Sequence, residues 1–95
     1  MTAFTDAKLQ KVAVEAKVTE AQIKWFIDNG VDSLERMATA ASDEKEVRPL
    51  IIEPMVQSSA ELCKTLGQQS AVKLFWHASR AAWENATSCV VSLHK

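Results

Sequence analysis

Hydrophobic residues recur along this chain at steps of three and four, the spacing of one helix face. Leu9, Val12, Ala13 and Ala16 lie at i, i+3, i+4 and i+7, which is typical of an amphipathic α-helix. The same spacing appears in later segments, namely Leu34, Met37, Ala38 and Ala41, then Ile51, Met55, Leu62 and Leu66, and finally Val72, Phe75, Trp76, Ser79, Trp83, Ala86, Val90 and Leu93. Since no segment alternates with period two, we predict an all-α fold, a compact five-helix bundle with a long C-terminal helix.

The second helix has the clearest boundaries. Thr19 and Gln22 have the spacing of a capping box, in which each side chain bonds the backbone N–H of the other residue. Asn29 and Gly30 follow the apolar stripe, and glycine takes the left-handed conformation at a helix end without steric cost. Val31 would then be C″ and Phe26 would be C3, the two residues that are in contact in a Schellman motif.

The remaining boundaries follow weaker signals. The predicted helices span approximately residues 6–17, 19–29, 32–41, 43–66 and 69–93, the fourth being kinked or broken near Pro49 and Pro54. Thr5 or Asp6 caps the first helix, and Asp32 caps the third with Glu35 at N3. Gly67 ends the fourth helix, and Ser70 caps the last.

Composition limits the classes of function. With 95 residues, the chain has the size of a single helical domain, residues 1–95. Lys and Arg together number 11 and Asp and Glu together 12, a formal net charge of -1, so the chain is not a strongly basic nucleic-acid binder. The two glycines and two prolines exclude collagen-like and turn-rich sequences.

The N-terminus and the cysteines indicate a compartment. Residues 1–6 lack the basic and apolar regions of a secretory signal, and no apolar run approaches the ~20 residues that span a bilayer. Cys63 and Cys89 could form one disulfide, but two free thiols are the preferred interpretation. We therefore expect a soluble protein of the cytoplasm or another reducing intracellular compartment, without membrane contact.

Candidate reaction centres are few. Cys63, His77, Cys89 and His94 are the only Cys and His residues, and their spacing matches no common zinc site. The acidic cluster at Asp43, Glu44, Glu46 and Glu53 fits a helix start, where the dipole favours negative charge. We therefore predict no catalytic residue, metal or cofactor and no enzymatic activity. The alternative is a small-ligand carrier or an enzyme with a pocket at Cys63 and His77.

The tryptophans are the principal candidates for a binding role. Trp76 and Trp83 are seven residues apart and share one face of the last helix. The preferred interpretation puts both rings in the core. Because Trp and Arg are common at interface hot spots, Trp25, Trp76, Arg80 and Trp83 are the predicted contacts for a protein partner.

A second binding hypothesis uses the basic residues. Lys8, Lys11 and Lys17 lie on the first helix, and Lys73 and Arg80 on the last. Either group could contact phosphates, which makes a nucleic-acid-binding helical domain the main alternative function. Interleaved acids, such as Glu15 and Glu84, would weaken that attraction.

The segment from Val18 to Met37 resembles the sterile-alpha-motif-like, or death-fold-like, group of small five-helix modules. In this segment a capped helix ends at Asn29-Gly30-Val31, and a short helix opens at once with Asp32-Ser33-Leu34-Glu35. Beyond the segment, a longer helix closes the chain. This resemblance implies a binding or self-association module. We therefore predict a non-enzymatic module for protein–protein interaction or self-association, including the role of accessory subunit in a larger assembly.

Overall fold

The chain folds as an all-α bundle. The computed structural model describes residues 3–93 and the side chains of residues 3–85. Its α-helices are α1 (Ala7–Ala16), α2 (Glu20–Asp28), α3 (Leu34–Thr39), α4 (Glu44–Val47), α5 (Glu53–Ser58) and α6 (Leu66–Leu93). A π-helical turn (Arg48–Ile52) joins α4 to α5, and a 3₁₀ turn (Ala60–Cys63) precedes α6. Because α4, the π turn and α5 form one continuous rod, the predicted five-helix bundle with a long last helix is confirmed.

Both ends of α2 form as predicted. The Thr19 hydroxyl accepts from the Gln22 N–H at 3.2 Å, and the Gln22 carbonyl oxygen Oε1 accepts from the Thr19 N–H at 3.0 Å. At the other end Gly30 has φ 84°, and the N–H of Val31 donates to the carbonyl of Phe26 at 2.8 Å. These bonds form the capping box and the Schellman motif.

The fourth rod ends earlier than predicted. It continues through Pro49 and Pro54, within the predicted span of residues 43–66, but ends at Ser59, whose φ of -159° and ψ of 117° are extended. The N–H of Glu53 donates to the carbonyl of Arg48, five residues back, so the helix widens just before Pro54. Pro54 therefore lies where the hydrogen-bond register changes, and it removes one ladder bond without ending the rod.

The start of α6 also corrects the prediction. Thr65 and Gln68 form a reciprocal capping box, with N–H···O distances of 3.0 and 3.1 Å. Gly67 therefore lies inside the first turn of α6 and does not end the fourth helix as predicted. Ser70 lies further along α6 and does not cap it. Leu66 is 84% exposed because it opens a new helix and does not continue the earlier apolar stripe.

Of the predicted caps of the first and third helices, the first forms and the third does not. Asp6 caps α1 by accepting the N–H of Lys8 at 3.0 Å, one of the two predicted caps. The third helix is capped by Ser33, whose hydroxyl accepts the N–H of Arg36, and not by Asp32. A cap at Ser33 moves N3 to Arg36, so Glu35 does not complete a capping box.

The core forms where the predicted stripes meet. Phe75 of α6 is fully buried, and its ring lies 5.3 Å from that of Phe26 and 5.6 Å from that of Phe4. Leu9 and Met37 are also fully buried beside this cluster. Helix α6 packs mainly against α1 and α3, so the seam predicted on α6 is confirmed through Ser79. Its continuation at Ala86, Val90 and Leu93 lies outside the described side chains.

Candidate interaction surface

Trp76 lies in the core. Its residue exposure is 4%, and its ring packs edge-to-face on His77 with centroids 5.0 Å apart. The interpretation of Trp76 as a core residue is therefore confirmed, and its predicted role as an exposed partner contact is wrong for this structure. The apolar seam of α6 faces the bundle at this turn, which leaves the indole no route to a surface.

Arg80 and Trp83 form a small cluster on the side of α6 that faces α3. Arg80 donates from Nε to Glu84 at 2.6 Å and from Nη1 to the carbonyl of Ala38 at 3.2 Å. Its guanidinium carbon also lies 5.5 Å from the centre of the Trp83 ring, which is half-buried. An arginine can satisfy carbonyls of the last turn of a helix in this way. Arg80 thus joins α6 to α3.

Trp25 is placed apart from this cluster. It lies on α2, half-buried against the core, with its ring edge-on to Phe26 at 5.3 Å. The structure thus brings Arg80 and Trp83 together and gives Trp25 and Trp76 separate surroundings.

Cys63 and His77 also have different neighbours. The buried thiol of Cys63 lies 3.4 Å from Met55 Sδ, and burial raises the pKa of that thiol, although a hydrogen bond with Gln22 acts the other way. His77 is exposed, with Nε2 3.4 Å from Glu44 on α4. The two side chains do not build the pocket considered from the sequence. Within residues 3–85, no three His, Cys, Asp or Glu side chains converge to hold a metal ion; the Cys89 side chain and His94 lie outside the described part.

The structure adds a surface that the sequence prediction missed. This α1 surface consists of a groove, a ridge and a depression along the exposed side of α1. A groove of about 380 Å³ runs between α1 and α6, with Val12, Leu34, Ala78 and Ala82 as its apolar lining and Lys8 at its rim. On the other side of α1, an open depression of about 640 Å³ is lined mainly by apolar surface, including Phe4, Ala7 and Val14. Lys11 and Glu15 line both and form a ridge between them.

The sequence carries one signal of this surface. Val14 lies outside the stripe of Leu9, Ala13 and Ala16, and it is 64% exposed whereas those three residues are buried. A branched apolar side chain on the polar side of a short helix is the feature that could have indicated it. Ala78 and Ala82 give no comparable signal, since alanine is common on every face of a helix.

The basic residues divide between several places. Lys8 and Lys11 lie on the α1 surface beside Glu15. Lys17 is the residue that ends α1, with a left-handed φ of 63°. On α6, the guanidinium of Arg80 is bound to Glu84 and Ala38, which reduces its availability to a phosphate. The described residues therefore do not gather these cations into one patch.

Comparison with known proteins adds no relative. No family model, curated protein or solved structure matches the chain, so the resemblance to sterile-alpha-motif-like modules stays a prediction. No helix in the described part of the chain is both long enough and apolar enough to cross a membrane.

Proposed function

We propose that this chain is a non-enzymatic protein-interaction module that binds a protein partner through the α1 surface. The observation that carries the proposal is the groove between α1 and α6, where Val12, Leu34, Ala78 and Ala82 line an apolar floor. Lys8, Lys11 and Glu15 surround it with both signs of charge. An apolar centre with a polar rim is the usual composition of a protein–protein contact.

Two further features support a protein partner. The small side chains of Ala78 and Ala82 allow a partner's helix or loop to approach the backbone of α6 closely. The mixture of Lys11 with Glu15 is better matched to a protein surface of mixed charge than to a uniformly negative phosphate backbone.

The experiment compares two arginine substitutions on α6. Ala82→Arg places a long cation in the groove, whereas Ala81→Arg places it on an exposed position that does not line the groove. A protein captured from a native extract would be purified and titrated against the wild-type chain and both variants. We expect Ala82→Arg to weaken binding by about tenfold or more and Ala81→Arg by less than about twofold.

Circular dichroism of both variants would verify that the fold is retained. Equal binding of the purified partner to both variants would show that the groove is not the contact surface. If no purified candidate, including the chain itself, binds the wild-type chain at concentrations up to about 1 mM, the function proposal fails.

A further inference from the structure

The outer face of α1 has a pattern of charge that is complementary to itself. Lys11 and Glu15 are both exposed and lie four residues apart, which is about 6 Å along a helix. Val14 is exposed between their levels. A single exposed valine is ordinary on a protein surface, but here it is flanked by opposite charges on the ridge that faces away from the core.

A second copy of the chain fits this pattern. When two α1 helices cross about a twofold axis level with Ala13, they run in opposite directions, and each Lys11 lies opposite Glu15 of the other copy. Two ion pairs form, about 3 Å on either side of the axis along the helix. Val14 lies one residue from the level of the axis, so it packs near Val14 of the second copy.

The charges also disfavour other registers. A twofold axis level with Lys11 sets that residue against itself, an axis level with Glu15 does the same for the carboxylate, and a parallel pairing in register opposes like charges throughout. The formal net charge of -1 imposes little repulsion between two copies. Among these arrangements, the charges therefore favour a second copy in the antiparallel orientation centred on Ala13.

We propose that two copies of this chain associate through the outer faces of α1, with Lys11 of each copy paired with Glu15 of the other and Val14 at the centre. The inference rests on the proposed function, because it names a partner for the part of the α1 surface where Lys11 and Glu15 border the groove. The contact has one helix at its centre, so the dimer is weak, with a dissociation constant on the order of 0.1–1 mM.

Sedimentation equilibrium of the full chain, from about 10 µM to about 1 mM, tests the proposal with charge reversals. Lys11→Glu alone and Glu15→Lys alone each create two like-charged contacts, and we expect each variant to be monomeric. Mixed in equal amounts, the two variants restore both ion pairs, and we expect a heterodimer at least as tight as the wild-type dimer. Lys24→Glu makes the same charge reversal at an exposed position of α2. It is the matched control and should dimerise as the wild type does.

The mixture is the decisive measurement. Each variant retains its own like-charged pair within α1, so recovery on mixing cannot come from a repaired helix. The inference would be overturned if the wild-type chain stayed monomeric throughout, if Lys11→Glu and Lys24→Glu weakened dimerisation equally, or if the mixture stayed monomeric. A monomeric wild type that binds another purified protein and loses it with Ala82→Arg would leave the function proposal standing alone.

Discussion

The side chain of Gln22 joins the start of α2 to the carbonyl of Leu62, 40 residues further along, through a hydrogen bond of 2.7 Å. Gln22 is fully buried, and the same amide nitrogen donates to the carbonyl of Gln68 at 3.2 Å while its oxygen accepts the N–H of Thr19. One residue thus caps α2 and satisfies backbone carbonyls at the 3₁₀ turn and in the first turn of α6. A buried amide is tolerated here because its oxygen and its nitrogen are both bonded.

Replacing Gln22 by leucine should therefore destabilise the fold strongly. The substitution replaces the amide by an apolar side chain of similar size, so the buried carbonyl of Leu62 loses its side-chain donor and the carbonyl of Gln68 loses one of its donors. We expect the free energy of unfolding to fall by about 2–4 kcal/mol in urea denaturation. Gln57→Leu, at an exposed position of α5, should change it by less than about 0.5 kcal/mol. Similar losses in the two variants would contradict this role for Gln22.

The two candidate caps of α6 can be separated by alanine substitution. Thr65→Ala removes the hydroxyl that accepts the N–H of Gln68, and we expect a loss of about 1 kcal/mol. Ser70 is exposed inside α6, so Ser70→Ala should be neutral or slightly stabilising because alanine has the higher helix propensity. Thermal and urea denaturation of both variants would measure the difference. A greater loss for Ser70→Ala would restore the cap predicted from the sequence.

The two glycines should respond to alanine in opposite directions. At Gly30 an added Cβ meets no atom within 4 Å, but the φ of 84° is unfavourable for alanine, so Gly30→Ala should lower stability by about 1 kcal/mol. At Gly67 the added Cβ would lie 3.7 Å from the Thr65 hydroxyl oxygen, an ordinary contact. Gly67→Ala should therefore raise stability by about 0.5 kcal/mol. Destabilisation of similar size at both sites would argue against the placement of Gly67 inside α6.

Asp6 should make stability depend on pH. Its carboxylate accepts the N–H of Leu34 at 2.9 Å and that of Lys8 at 3.0 Å. The bond from Leu34, supported by those from Lys8 and Leu9, holds the pKa of Asp6 below its ordinary value of 3.8, although burial acts the other way. A carboxyl whose pKa is lower in the folded state stabilises the fold above the unfolded pKa, and this contribution is lost as the pH falls through the folded pKa.

The comparison is between the wild type and Asp6→Asn, unfolded in urea at about pH 7 and about pH 3. The amide keeps the shape of the carboxylate but can bond Leu34 and Lys8 with only one oxygen. We expect the wild type to be the more stable at neutral pH and its advantage to shrink in acid. An advantage of equal size at both pH values would exclude Asp6 as a source of the pH dependence.

The sequence predicts the surroundings of some surface candidates correctly and those of others wrongly. The sequence predicts Arg80 and Trp83 as partner contacts, and the structure places them together, but Arg80 also donates to the carbonyl of Ala38, 42 residues earlier. The sequence predicts the same role for Trp76, which is buried. The sequence pattern locates all three on one helix, yet exposure depends on which neighbouring helix covers each turn. The groove bordered by Lys11 and Glu15 was missed because it forms only when α1, α3 and α6 pack together.

The sequence by itself determined the all-α class, the long last helix and both ends of α2. Those features depend on interactions within a few residues, such as the bonds between Thr19 and Gln22 or the left-handed glycine at position 30. Only the tertiary structure decided that the fourth rod ends at Ser59 and that Gln22 is buried. It also decided that Val14 remains exposed beside a groove. These outcomes depend on contacts between residues far apart in the chain, where packing and burial of polar groups outweigh local preference.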